Sequence, residues 1–143
     1  ANRHRCYHDR IKVHEDRASG GHRSRARCTH RLCTHGPTVA TFEVAGEQTY
    51  KIELATPELI QHAKDLMAGS QEGRIPNGLI VRDDPSVNAP WSWHIDPQSL
   101  EFADATTEVC DGLPEYVEDG TLTSPYYCPW SAEVIAIEGP GAD

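Results

Sequence analysis

Residues 36–143 predict an α+β domain in which one main α-helix packs on an antiparallel β-sheet. Three observations indicate this fold class: an alternating hairpin over 39–54, a capped helix over 57–68, and several short β-prone segments after the helix. Apolar residues that recur every second position indicate a half-buried strand, whereas a 3.6-residue period indicates a helix. Strands grouped around a single helix are typical of a helix-on-sheet architecture.

The hairpin and the helix have start and stop signals in the sequence. Two alternating segments, 39–44 and 48–54, flank a Gly-containing turn. Thr56 predicts a helix N-cap, and Gly69 can adopt the left-handed conformation that ends a helix. The apolar residues of the helix form one stripe, which we expect to pack on the sheet. His62 lies at the edge of this stripe, and we expect it to be a partly exposed residue rather than a ligand.

The later elements are shorter and less regular. We predict strands at 79–82, 88–94, 100–110 and 133–138, and a helical turn begun by proline at 114–119.

Charge divides the chain near residue 36. Residues 1–35 hold nine Lys/Arg against three Asp/Glu, a net charge of +6, whereas residues 36–143 hold four against nineteen, a net charge of −15. The acidic part repels phosphate groups, which argues against nucleic acid as its ligand. Three interpretations of residues 1–35 stay open: a basic arm for nucleic acid, a zinc site, and a segment with no folded role that is either flexible or derived from cloning. The zinc site would use Cys28, His30, Cys33 and His35.

Two cysteines lie in the acidic part, Cys110 and Cys128. They lack C-x-x-C spacing, and their acidic surroundings disfavour a thiolate, so we expect a disulfide rather than a redox or metal pair. A closed loop of this size stabilises the fold by about 3 kcal/mol. The chain has no apolar run of about eighteen residues and no signal segment at its start, so we expect no membrane insertion.

Acidic residues after position 95 raise the possibilities of metal binding and catalysis. Calcium takes about six to eight oxygen ligands, and four carboxylates are candidates although they lack EF-hand spacing: Asp96, Glu101, Asp104 and Glu108. The alternative is a solvated acidic face. A small hydrolase would use His94 as a base, oriented by Asp96 or Glu108, with Ser92 or Ser131 recruited beside it. No catalytic motif accompanies these residues, so we expect a protein that is not an enzyme.

The loop after the helix predicts a protein-binding function. Protease inhibitors present a preorganised extended segment, and five residues would form it here: Gly73, Arg74, Ile75, Pro76 and Asn77. Arg74 would enter the acidic specificity pocket of a trypsin-like protease, and Ile75 would follow the scissile bond. The alternative is an ordinary connection between helix and strand.

A second binding hypothesis depends on aromatic residues. Trp91, Trp93 and Trp130, with His94 nearby, could form a calcium-dependent platform for carbohydrate or for an adhesion partner. In a domain this small, we expect at least two of the three tryptophans to lie in the core instead.

Several motifs resemble the BP-seventy-four N-terminal domain family over about residues 39–137. They are Arg74-Ile-Pro-Asn-Gly78, Trp91-Ser-Trp-His94, Glu108-Val-Cys-Asp-Gly112 and Tyr127-Cys-Pro-Trp-Ser131. The resemblance implies a small domain that is usually extracytoplasmic, and it implies no catalytic mechanism. We therefore expect a secreted monomer that binds a protein, most concretely a protease, or a carbohydrate, and that requires no cofactor.

Overall fold

Two antiparallel β-sheets and one main α-helix form the part of the chain that the computed structural model describes, residues 36–142. This confirms the predicted α+β class. The hypotheses of a basic arm, a zinc site or a flexible segment concern residues 1–35, which lie outside the described residues. In chain order the elements are β1 (Val39–Val44), β2 (Gln48–Glu53), α1 (Pro57–Met67), β3 (Ile75–Arg82), β4 (Trp93–Ile95), β5 (Glu101–Ala103), α2 (Pro114–Asp119), β6 (Tyr126–Tyr127) and β7 (Ala132–Glu138).

The first sheet has the strand order β2-β1-β7. The predicted hairpin is confirmed, with Phe42 on β1 directly opposite Tyr50 on β2. On the other side of β1, Thr41 pairs with Ala136 and Phe42 with Val134, so Ile135 is the extra residue of a β-bulge. α1 packs against β7, and its Ala63 is fully buried.

The second sheet is built around β3, the longest strand of the described chain. β4 pairs with the C-terminal half of β3 and β5 with its N-terminal half, while β6 pairs with Gly78 and Leu79 in the middle. Gly78 is required here because a Cβ at this position would overlap the Ile95 side chain. Neither helix of the described chain combines the length and apolar composition needed to cross a bilayer.

Both ends of α1 are closed as the sequence predicts. The Thr56 hydroxyl accepts a hydrogen bond from the Leu59 N–H at 3.1 Å. At the other end, the Gly69 N–H donates to Leu66 and the Ser70 N–H to Asp65, which is the Schellman pattern around a glycine of positive φ. The chain direction after the helix is therefore set by local sequence.

Three strand predictions were wrong in their bounds. The predicted strand 79–82 begins earlier, at Ile75, in spite of the proline at position 76. Of the predicted strand 100–110, only Glu101–Ala103 is extended, because β5 reaches the first residue of β3 and then has no backbone left to pair with. Of the predicted strand 88–94, only its last two residues lie in β4, and residues 86–88 form a 3-10 turn.

An aromatic core joins the two sheets, with the Tyr50 ring at its centre. The ring centroid of Tyr50 lies 5.5 Å from Phe42 of its own sheet and 5.8 and 5.1 Å from Trp93 and Tyr127 of the other sheet. The Tyr127 hydroxyl donates to the Gly112 carbonyl, whereas the buried Tyr50 hydroxyl has no hydrogen-bond partner within residues 36–142. Contacts at these distances add to the burial of large apolar surfaces.

A buried asparagine links the edge of β2 to β4. The Asn88 side chain is 1% exposed. Its Oδ1 accepts a hydrogen bond from the Lys51 N–H at 2.7 Å, and its Nδ2 donates to the Trp93 carbonyl at 2.9 Å. One amide therefore satisfies a backbone donor of one sheet and a backbone acceptor of the other.

We expect Asn88→Ala to lower the free energy of unfolding by about 2–4 kcal/mol, because it leaves two buried backbone groups without a partner. Urea unfolding followed by tryptophan fluorescence measures the loss. Gln98→Ala is the control, since the Gln98 side chain is exposed and the expected change is within about 0.5 kcal/mol. Equal stabilities of Asn88→Ala and the control would contradict the proposed link.

Burial also predicts a loss of stability at alkaline pH. Desolvation by burial raises the pKa of Tyr50. Burial also raises the pKa of Tyr127, and the negative charges of the nearby Tyr50 phenolate and Asp111 raise it further. Above the ordinary value of 10.0, the unfolded chain releases protons that the folded chain retains, so the free energy of unfolding falls as pH rises. The expected slope is at most about 1.4 kcal/mol per pH unit for each tyrosine.

Urea unfolding between pH 8 and pH 11 tests this, with Tyr50→Phe as the comparison. The substitution removes a hydroxyl without a partner, so we expect little change at pH 8 and a shallower decline above pH 10. Parallel declines in the two proteins would show that the Tyr50 phenol does not contribute.

Candidate functional site

Arg74 lies immediately before β3, between two depressions of the surface. The first, of about 300 Å³, is lined by Leu66, Met67, Gly69, Ser70, Gln71, Arg74, Ala132, Glu133 and Val134. The second, of about 260 Å³, is lined by Arg74, Ile75, Asp104, Ala105, Thr106 and Trp130. We call the two depressions together the Arg74 groove. Helix α1, the starts of β3 and β7 and the chain after β5 contribute to it.

Two hydrogen bonds fix the backbone next to Arg74. The Gly73 N–H donates to Oδ1 of Asp104 at 2.6 Å, and the Gly73 carbonyl lies 3.0 Å from Nε2 of His62, which donates to it. Gly73 has φ +58°, and a Cβ here would lie 2.8 Å from the His62 ring. The His62 ring is itself stacked on Phe102, with centroids 4.5 Å apart. His62 is half-buried as expected, and the structure gives it a positioning role.

The floor of the second depression is braced by the disulfide. Cys110 and Cys128 are bonded, with their Cα atoms 5.0 Å apart, which confirms the predicted pair. Both cysteines are buried with Ile75, and Trp130 packs against this cluster. The Trp130 indole N–H donates to the Thr106 hydroxyl at 2.7 Å, and its backbone N–H donates to Asp111. Trp130 is therefore held both by its indole N–H and by its backbone N–H.

The Arg74 guanidinium makes no hydrogen bond or ion pair within residues 36–142. It is half-buried, and it is one of four basic residues in residues 36–143, which carry a net charge of −15. The Asp104 and Glu133 residues line the same groove on either side of it. The groove therefore combines an unpaired cation, two carboxylates, a hydroxyl and an indole.

The segment predicted as an inhibitory loop is partly a strand. Ile75 is 6% exposed and Pro76 is fully buried. Ile75, Pro76 and Asn77 pair with residues 103 to 101 of β5. Gly73 is buried as well, and the residues of this segment that line a depression are Arg74 and Ile75.

The predicted aromatic platform is divided between the core and the surface. Trp93 is 1% exposed and belongs to the central core. Trp91 is half-buried, lies 6.3 Å from the Trp93 ring centroid, and donates its indole N–H to the Thr49 carbonyl. The His94 ring donates from Nδ1 to the Asp84 carbonyl at 2.6 Å. The three residues are neighbours, but they do not present a common open face.

The four calcium candidates have separate positions. Asp96 accepts from the Gln98 N–H in a turn, and Asp104 holds Gly73. Glu101 lies on β5 and Glu108 begins a 3-10 turn. Among the residues that the structure describes, no group of three or more His, Cys, Asp or Glu side chains is placed to hold a metal ion.

The residues named for a hydrolase have other partners. The backbone N–H and the hydroxyl of Ser92 both donate to the Glu118 carboxylate, at 2.9 and 2.7 Å, and these bonds hold the Glu118 pKa below its ordinary value. The Ser131 hydroxyl accepts from the Ala45 N–H. Within the described residues, neither serine is hydrogen-bonded to His94, so the predicted nucleophile and base do not form a pair.

The grouping of Arg74 with Thr106 and Trp130 has no counterpart among the sequence motifs. These residues are 24 to 56 positions apart, and no local pattern connects them. The sequence signal for this grouping is the cysteine pair: Cys128 lies two residues before Trp130 and Cys110 lies four residues after Thr106, so their disulfide brings the two segments together.

Comparison with known proteins gives the family of this fold. The sequence model of the BP-seventy-four N-terminal domain matches residues 37–140, which is most of the chain. No curated protein and no solved structure matches the chain. The matched range includes both sheets, the disulfide and the Arg74 groove. The chain thus belongs to the BP-seventy-four N-terminal domain family.

Proposed function

We propose that this domain is a secreted, non-enzymatic module that binds carbohydrate in the Arg74 groove. The observation that carries the proposal is the half-buried Trp130 indole, which lines the second depression while its N–H is held by Thr106. The C–H groups on one face of a pyranose ring are weakly positive and pack against the negative face of an aromatic ring. A fixed indole offers this contact at a low cost in conformational entropy.

Polar groups beside the indole supply the hydrogen bonds that a sugar needs. Asp104 uses one carboxylate oxygen for the Gly73 N–H, so the other oxygen is available as an acceptor. The Thr106 hydroxyl accepts from Trp130, so its own proton is available for donation. The depression of about 260 Å³ is close to the lower limit of small-ligand sites, about 300 Å³, which suits one sugar residue.

The disulfide supports the secreted part of the proposal. Disulfides persist in oxidising compartments and are rare in the cytosol. The bond also holds Trp130 against the cluster of Ile75, Cys110 and Cys128, so the compartment that maintains the bond also maintains the groove. Calcium is not part of this proposal, because Asp104 acts through its hydrogen bond to Gly73 rather than within a group of metal ligands.

A protease inhibitor fits the geometry less well than a carbohydrate-binding module. A protease holds the residues on both sides of the scissile bond in its cleft, and Ile75 is paired with Ala103 and packed on the disulfide. Access to the Arg74–Ile75 bond requires separation of β3 from β5. Such local unfolding removes the preorganisation from which tight inhibitors gain affinity.

We expect trypsin neither to be inhibited by this protein nor to cleave the folded chain after Arg74, because Ile75 is buried. Mass spectrometry of a trypsin digest reports on the Arg74–Ile75 bond separately from the other cleavage sites. The reduced, urea-unfolded chain is the control and should be cut at Arg74. Stoichiometric inhibition of trypsin that Arg74→Ala abolishes would instead establish the inhibitor.

We expect the full chain to bind a subset of glycans on an array, and Trp130→Ala to weaken that binding at least about tenfold, a loss of about 1.4 kcal/mol. The physical reason is the loss of the stacking wall. Trp91→Ala is a matched control, because Trp91 is also a half-buried indole whose N–H donates one hydrogen bond, in this case to Thr49.

Thermal unfolding of both variants separates binding from folding. The proposal requires that Trp91→Ala keep the glycan affinity while Trp130→Ala loses it. Absence of glycan binding by the wild-type chain, or equal losses in two folded variants, would contradict it.

A further inference from the structure

Arg74 is the feature of the groove that carbohydrate binding in general does not explain. A guanidinium presents five N–H donors in a rigid fork. None of those of Arg74 has a hydrogen-bond or ion-pair partner within residues 36–142, although the residue is half-buried and lines both depressions. Part of the residue stays exposed, so a ligand can reach the guanidinium. The position and the available donors of Arg74 fit an anionic group of a ligand.

On the basis of the proposed function, we infer that the bound sugar carries a single carboxylate and that Arg74 pairs with it. The planar fork of arginine matches the two oxygens of a carboxylate. The two hydrogen bonds of Gly73 hold the backbone from which the Arg74 side chain extends. The site thus presents a cation where the depressions meet and an indole in the second depression, groups that fit the carboxylate and the ring face of a hexuronic acid residue.

The neighbouring charges favour one carboxylate over a phosphate. Asp104 and Glu133 line the depressions on the two sides of Arg74. Each repels an incoming anion, and this repulsion is larger for a phosphomonoester, which carries a charge of about −1.5 to −2 at neutral pH. A carboxylate brings one negative charge, which the single guanidinium neutralises.

The charge of the whole domain favours an isolated acidic sugar over a polyanion. Residues 36–143 carry a net charge of −15. A polyuronate brings many charges close to this surface, and their mutual repulsion extends over the Debye length, about 30 Å at 0.01 M salt and about 8 Å at 0.15 M. A neutral glycan that ends in one uronic acid residue avoids most of this repulsion.

Matched methyl glycosides test the inference. Calorimetry and NMR titration of the full chain compare methyl glucuronide with methyl glucoside, and methyl galacturonide with methyl galactoside. Each pair differs only in the C6 group. We expect at least one uronide to bind about tenfold or more tightly than its neutral partner, because a hydrogen bond between charged groups contributes more than a neutral one.

Arg74→Gln should abolish the preference for the uronide, and Arg74→Lys should keep part of it, because lysine retains the charge without the fork. Arg74 makes no hydrogen bond or ion pair within residues 36–142, so both variants are expected to fold. Lys51→Gln is the control for loss of one positive charge, since Lys51 lies on β2 and lines neither depression. It should leave the preference unchanged.

Four outcomes would overturn the inference. Equal binding of uronides and neutral glycosides would remove the role of the carboxylate, as would an unchanged preference in Arg74→Gln. Tighter binding of glucose 6-phosphate than of methyl glucuronide would assign the site to phosphate. If no uronide binds while neutral glycans bind through Trp130, the proposed carbohydrate binding is retained and the acidic sugar is rejected.

Discussion

The two sheets of this domain are joined where the Asn88 side chain bridges β2 and β4. Few apolar residues are available in a domain this small, so the sheets must face each other in one register for Tyr50, Trp93 and Tyr127 to pack together. The Asn88 amide sets that register, because its two hydrogen bonds are satisfied only when Lys51 and Trp93 lie at the right separation. Buried amides specify an arrangement because an unsatisfied partner is costly.

The candidate site depends on the same framework through β3. This strand pairs with β4 beside the aromatic core and with β5 at its other end, where Arg74 precedes it. Phe102 of β5 contacts both Phe42 in the core and the His62 ring that holds Gly73. The backbone position of Arg74 is thus coupled by packing to the core, while its guanidinium has no hydrogen-bond or ion-pair partner within residues 36–142. Packing and hydrogen bonds therefore fix the backbone that carries Arg74, which is one requirement of a preorganised site.

Local patterns predicted those elements whose signals are short in range. The hairpin alternation, Thr56 at the start of α1 and Gly69 after its end were all interpretable from neighbouring residues, and the structure confirms them. Strand lengths were mispredicted for the segments 79–82, 88–94 and 100–110, because a strand extends only as far as its partner does. Pro76 is compatible with β3, although proline usually argues against a strand interior.

Sequence alone determined the α+β class, the Cys110–Cys128 pair, the division of charge near residue 36 and the family. Net charge is a sum over residues, and periodicity and motifs depend on residues that are close in the sequence, so none of these properties requires knowledge of distant contacts. Tertiary structure decided that Asn88 joins the sheets, that Trp93 is core, and that Arg74, Thr106 and Trp130 share one groove. Each of these depends on contacts between residues far apart in the chain, and such contacts exist only once the sheets and the disulfide have brought the segments together.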